Sequence, residues 1–179
     1  MTKKKLIVHL LSYAVIYMAV AQVSPNFPKQ KPQPVKTQSP AKTATVNKPD
    51  GYVDLELPSG ARWKSMNEDG FYTYTQAVHF FGENLPTKSQ WQELIGYCRW
   101  EWTGRGYKVV GKNGNFIYLP AEGLISVEDG HVLSECGFYW SSTIYPGREG
   151  SAYRLGFSWN EEDIDGGFMS SGRSVRLVK

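Results

Sequence analysis

The change of composition at residue 50 constrains this chain more than any single motif does. Residues 22–49 hold Pro25, Pro28, Pro32, Pro34, Pro40 and Pro49 together with Lys29, Lys31, Lys36, Lys42 and Lys48, and no acidic residue. Such a segment has too little apolar surface to offset the entropy of ordering it, and its prolines bias it towards extended polyproline II conformations. A disordered tether over residues 22–50 is therefore expected, and a hydrophobic core has to come from residues 51–179. That stretch is long enough for one domain and contains all six tryptophans.

Residues 1–21 have the order of a secretory signal peptide. Lys3-Lys4-Lys5 precedes an apolar run from Leu6 to Val20, interrupted by His9 and Ser12, and Ala19-Val20-Ala21 supplies small residues for cleavage. The run is short for a membrane span, so the expectation is export to the periplasm or cell surface with no transmembrane span after cleavage. No cysteine follows the run to take a lipid anchor. The tether lysines either contact an anionic envelope or keep a spacer solvated. Three lysines lie in the leader and five in the tether, which leaves twelve basic against sixteen acidic residues in 51–179. The folded part is acidic, which argues against a nucleic-acid surface.

Within the domain, residues 51–57 alternate as a half-buried strand ended by the turn Pro58-Ser59-Gly60, and Ala61-Arg62-Trp63 begins a second strand. Tyr74, Ala77, Val78 and Phe81 share one helical face, with Thr73 or Thr75 as cap and Gly82 as stop. Trp91, Leu94, Ile95 and Cys98 repeat that spacing after a capping box formed by Thr87 and Gln90. Residues 107–110 and 115–119 flank Lys112-Asn113-Gly114, a hairpin signal in which Asn-Gly suits a type I′ turn. Glu128-Asp129-Gly130 marks another turn, and residues 138–143, 153–159 and 174–178 alternate as strands. Two helices followed by many short strands give an α+β class.

Several separated phrases then fall in order: Gly51-Tyr52-Val53-Asp54-Leu55, Leu85-Pro86-Thr87, Trp100-Glu101-Trp102-Thr103, Lys112-Asn113-Gly114-Asn115, Tyr139-Trp140-Ser141-Ser142 and the closing Gly172-Arg173-Ser174-Val175-Arg176. In these phrases the domain resembles the Fibrobacter succinogenes major paralogous domain family, over essentially all of residues 51–179. The resemblance implies a C-type-lectin-like fold, related to formylglycine-generating enzymes and retroelement-variable proteins. It also implies binding through the last strands and their loops, residues 144–151 with 158–171. The candidate ligand-binding residues there are Tyr145, Arg148, Glu149, Trp159, Asn160, Glu161, Glu162, Asp163, Asp165 and Met169, with Phe168 beside them. Rigid aromatic rings next to hydrogen-bonding groups suit either a sugar face or a protein hot spot, although aromatic alternation also serves plain packing.

The acidic run Glu161-Glu162-Asp163-Ile164-Asp165 offers hard oxygen ligands to calcium but lacks EF-hand loop spacing, and a solvated charge cluster is its simpler reading. No other cofactor is implied. Cys98 and Cys136, the two cysteines, either form a disulfide or remain buried thiols. His79 and His131 have no metal-ligand partner at regular spacing and read as surface residues. The chain carries no Gly-x-Ser-x-Gly elbow, Walker loop or zinc-protease phrase. The expected function is an exported, non-enzymatic recognition module for a glycan or surface protein. The alternatives are a structural subunit of a surface assembly and an enzyme on a formylglycine-generating-enzyme-like scaffold.

Overall fold

The computed structural model describes residues 51–126, 132–133 and 135–179. The expected signal peptide, the tether, the turn at Glu128-Asp129-Gly130 and His131 lie outside the described residues. The elements are β1 (Tyr52–Asp54), β2 (Arg62–Lys64), α1 (Tyr74–Phe81) running into a 3-10 turn (Gly82–Asn84), α2 (Lys88–Tyr97), β3 (Arg99–Trp102), β4 (Gly106–Val110), β5 (Phe116–Pro120), β6 (Leu124–Ile125), β7 (Val132–Leu133), β8 (Gly137–Ile144), β9 (Ser151–Phe157) and β10 (Glu162–Phe168). The strands pair antiparallel as β1-β2, β3-β4-β5, β6-β7 and β10-β9-β8. Two short helices with antiparallel sheets are the expected α+β class.

Both helices begin where their side chains satisfy the first free amides. Thr73 caps α1 through the Gln76 amide and Thr87 caps α2 through the Gln90 amide, and each glutamine side chain reaches back to the cap backbone. Gly82, at φ 46°, ends α1 as expected. The apolar faces differ from the sequence reading at their ends. Val78 is exposed, and Cys98 is not on the α2 stripe but is its extended C-cap, packed against the core from one residue past the helix.

Two hydrophobic clusters lie on opposite faces of β8. Tyr139 joins Trp63, Trp91, Leu94, Leu119, Leu155 and Phe157, whereas Trp140 joins Tyr74, Ala77, Leu85, Ala152, Val175 and Leu177. Successive strand residues point to opposite faces, so one Tyr-Trp dipeptide anchors both clusters. Trp63 and Trp91 rings meet at 4.6 Å, and Trp91 Nε1 donates to the Trp140 carbonyl at 3.2 Å.

The first predicted strand is shortened to β1, because Glu56 takes φ 57° and breaks the extended run, although Leu55 and Leu57 still reach the core. The β4–β5 hairpin is present, but its turn is not type I′, which needs positive φ at both central residues. Asn113 is not in that region; only Gly114 is, at φ 81°, following a turn in which the Gly114 amide donates to Gly111 O. The Asn113 and Asn115 side chains instead donate to the Asp54 carbonyl at 3.0 and 2.9 Å, tying the hairpin to β1. A Cβ on Gly111 would lie 2.3 Å from the Leu55 carbonyl oxygen, so this approach admits only glycine.

The expected last strand, 174–178, is a run of isolated bridges rather than a regular strand. Ser174 bridges Tyr139 and Val178 bridges Trp63, while the Lys64 amide donates to Leu177 O at 2.9 Å. This segment stitches β2 to β8 and buries Arg176. The Arg176 guanidinium donates to Asn67 Oδ1 from Nε (2.9 Å) and Nη2 (2.7 Å), to Lys64 O (2.8 Å) and to Tyr118 O (2.6 Å). Asn67 in turn donates to Glu122 Oε2 and to the Tyr139 hydroxyl, which donates to Pro120 O at 2.7 Å.

Candidate functional site

The residues expected to bind ligand all lie on or beside the β8-β9-β10 sheet, but they do not form one patch. The β8–β9 connection, residues 145–150, sits at the end of the sheet where Ser151 pairs with Phe168. The β9–β10 turn, residues 158–161, sits at the other end, where Phe157 pairs with Glu162. The seven-residue strand between them separates the two groups by roughly 20 Å at the usual rise per residue. Tyr145, Arg148, Glu149 and Met169 are therefore remote from Trp159, Asn160, Glu161 and Glu162, which corrects the single-surface expectation.

At the first end, most groups are already engaged. The Tyr145 ring meets Tyr153 edge-on at 4.9 Å and rests on Gly166, where a Cβ would come within 2.6 Å of it. Arg148 stacks 4.2 Å from the Phe168 ring, donates from Nε to Ser151 Oγ at 2.8 Å and from Nη2 to Gly166 O at 3.2 Å. Glu149 is exposed. Met169 is half-buried against the Tyr74 and Ala77 cluster, and its carbonyl accepts from the Tyr74 amide, so it is packing rather than a surface contact. At the second end, Ser158 Oγ donates to Asn160 Oδ1 and the Ser158 amide to Glu161 O, which closes the turn with Trp159 at its tip. Trp159 is 68 % exposed, and Phe168, at the far end of β10, 55 % exposed.

The acidic run is not a loop. Residues 162–165 belong to β10, which pairs with β9 alone among the described strands, and alternation sends neighbouring side chains to opposite faces. Asp163 pairs with Arg154 Nη1 at 2.5 Å, and Asp165 Oδ1 accepts the Gly166 amide at 2.7 Å. Among the described residues no group of three His, Cys, Asp or Glu side chains is arranged to hold a metal ion, so the calcium expectation gains no geometric support.

Cys98 and Cys136 are both free and half-buried; the disulfide expectation is not met in this structure. Burial, followed by the charge of Glu93, pushes the Cys98 thiol up to about 11. Burial, then Glu135 and Glu161, also raises Cys136, with Arg154 acting in the opposite direction. His79 is exposed, as expected.

No protein family, curated protein or solved structure matches this chain.

Two features lie outside the sequence-based expectations. A cavity of about 500 Å³ opens between the β3–β4 turn and the segment after β5, lined by Trp102, Arg105, Tyr118, Pro120 and Glu122 among others. The second feature is a set of arginines on one face of the β8-β9-β10 sheet. In register, Trp140, Arg154 and Asp165 form one row, and Phe138, Gly156 and Asp163 the next. Arg173, from the closing segment, lies over these rows with its guanidinium 4.5 Å from the Trp140 ring and 5.9 Å from the Phe138 ring. Arg154 lies 5.3 Å from the same Phe138 ring. Alternation along residues 153–159 could have placed Arg154; nothing local signals where the Arg173 side chain goes.

Proposed function

We propose that this protein is an exported, non-enzymatic recognition module with a C-type-lectin-like domain of the Fibrobacter succinogenes major paralogous type, which binds a glycan or surface protein along the outer edge of β10. The observation that carries the reading is the pair of solvent-facing rings, Trp159 and Phe168, at the two ends of an edge strand. Aromatic residues, Trp and Phe among them, are enriched at binding interfaces relative to the rest of a protein surface. Their separation suits an extended polymer better than a compact small molecule. Support for the fold comes from the helix pair and from the closing segment paired to β2, with Arg62 and Lys179 exchanging backbone hydrogen bonds at 2.8 and 3.0 Å. Among the described residues no helix is long and apolar enough to cross a membrane. The raised thiols run against a cysteine nucleophile, which reacts as thiolate.

Among the described strands only β9 pairs with β10, and that edge position favours a second reading, a structural subunit that adds strand to strand. One experiment separates them. Full-length protein is screened on glycan and bacterial-surface protein arrays, with and without calcium, and its mass is followed by sedimentation over a wide concentration range. Capture lost in a Trp159→Ala, Phe168→Ala protein of unchanged fold supports recognition. Concentration-dependent self-association lost in the same variant, with silent arrays, supports the structural subunit and overturns the recognition reading.

A further inference from the structure

Arg173 is 5 % exposed, and its Nε and Nη1 atoms are buried without a hydrogen-bond partner among the described residues. Its ring contacts with Trp140 and Phe138 offset part of the desolvation, but they satisfy none of the N–H donors. No carboxylate within the described residues pairs with it. Burial first, and then the like charges of Arg154 and Arg148, pull its pKa below the usual guanidinium range. By contrast, Arg176, three residues on and also buried, has four hydrogen bonds to side-chain and backbone oxygens. The fold thus can satisfy a buried arginine and does not do so at Arg173.

The surroundings leave room for guanidinium groups rather than fill it. A Cβ on Gly167 would lie 2.4 Å from Arg173 Nη2, and one on Gly156 would lie 1.9 Å from Arg154 Nη1. Two glycines on this face therefore hold the space the arginines occupy. Arg154 and Arg173 flank one phenyl ring, and the Arg154 side chain, the outer of the two, has a single carboxylate partner in the exposed Asp163. Burying a cation beside like charges is costly, and an anion that accepts several N–H bonds removes the cost.

We propose that Arg154 and Arg173, framed by Phe138 and Trp140, bind an oxyanion group of the ligand. The oxyanion takes the place of Asp163 as the partner of Arg154 and accepts from the free N–H groups of Arg173. This inference rests on the recognition reading above and adds to it that the ligand carries a carboxylate or a phosphate or sulfate ester.

The test uses the full chain and three probes, glucuronate, inorganic phosphate and inorganic sulfate, each against chloride at matched ionic strength, by calorimetric titration and thermal melting. The expected result is saturable heat and a rise in melting temperature with at least one probe. Glucuronate alone would assign a carboxylate and phosphate or sulfate a tetrahedral ester, and both support the proposal. Arg154→Gln should weaken binding by about tenfold to a hundredfold, the value of one charge-assisted bond. Arg173→Gln should abolish it, and Asp163→Asn should tighten it by releasing Arg154. Should Arg173→Gln fail to fold, Arg154, with 16 % of its side chain exposed, carries the test. No saturable response to any probe, or undiminished binding by a folded Arg154→Gln protein, overturns the proposal. Array capture by a protein that ignores all three ions would refute this inference and leave the recognition reading standing. Ion binding without array capture would do the reverse.

Discussion

Replacing Asn67 by alanine probes how the closing segment is held. Arg176 is buried to within 1 % of complete, and Asn67 Oδ1 accepts two of its four hydrogen bonds, from Nε and Nη2. Nη2 keeps Tyr118 O, but Nε loses the acceptor it has. A hydrogen bond to a charged group is worth about 1.5–3 kcal/mol, and a stranded buried donor costs its full desolvation, so Asn67→Ala should destabilise by about 3–5 kcal/mol. For a domain of this length that corresponds to a fall in melting temperature of roughly 10–20 °C. Urea unfolding of the full chain with an unchanged m-value would measure it. A loss caused by a stranded charge requires that Arg176→Met cost about 2 kcal/mol less in the Asn67→Ala background than in the original protein. Additive effects within about 0.5 kcal/mol, or an Asn67→Ala loss below about 1.5 kcal/mol, would refute it.

Trp91→Ala removes a fully buried indole that packs on Trp63 and Tyr139, and urea titration should show a loss of about 3–5 kcal/mol. Gly111→Ala forces a Cβ against the Leu55 backbone and should lower stability by about 1–3 kcal/mol or more. Gly114→Ala, which meets open space and strains only its φ of 81°, should cost about 1 kcal/mol, so equal melting points for the two would contradict the close-approach argument. The thiols should react slowly with iodoacetamide at neutral pH and quickly once denatured, with the Cys98 rate rising towards pH 11. A thiol raised from 9.0 in the unfolded chain to about 11 in the fold adds stability that is complete below pH 9 and lost as pH climbs to about 11. Rapid labelling of folded protein at neutral pH would contradict the burial assigned to Cys98.

Both helices were legible because their signals are local. Thr73 with Gln76 and Thr87 with Gln90 reach only the next turn, so the four residues that form each cap also announce it. The β4–β5 hairpin was legible for the same reason, but its turn type was not, since Asn113 and Asn115 are held by the Asp54 carbonyl, some sixty residues away in sequence. The acidic run illustrates the opposite case. Its charges suggest calcium ligands or a solvated cluster, yet pairing with β9 makes residues 162–168 a strand and turns Asp163 towards Arg154. The candidate binding residues were found as types but misjudged as a group, because β9 places residues 145–150 and 158–161 at opposite ends of one sheet.

The sequence by itself determined the α+β class, the helix starts, and the acidic character of residues 51–179 after the basic residues before them are set apart. These depend on spacing and composition, which act over a few residues or over sums. Tertiary structure alone decided that Tyr139 and Trp140 serve two different clusters, that Arg176 is satisfied and that Arg173 is not. Two arginines in Arg173-Ser174-Val175-Arg176 look alike to their sequence neighbours. Their difference arises from what the rest of the described chain brings to each, Asn67 and the carbonyls of Lys64 and Tyr118 in one case, and rings and other arginines in the other.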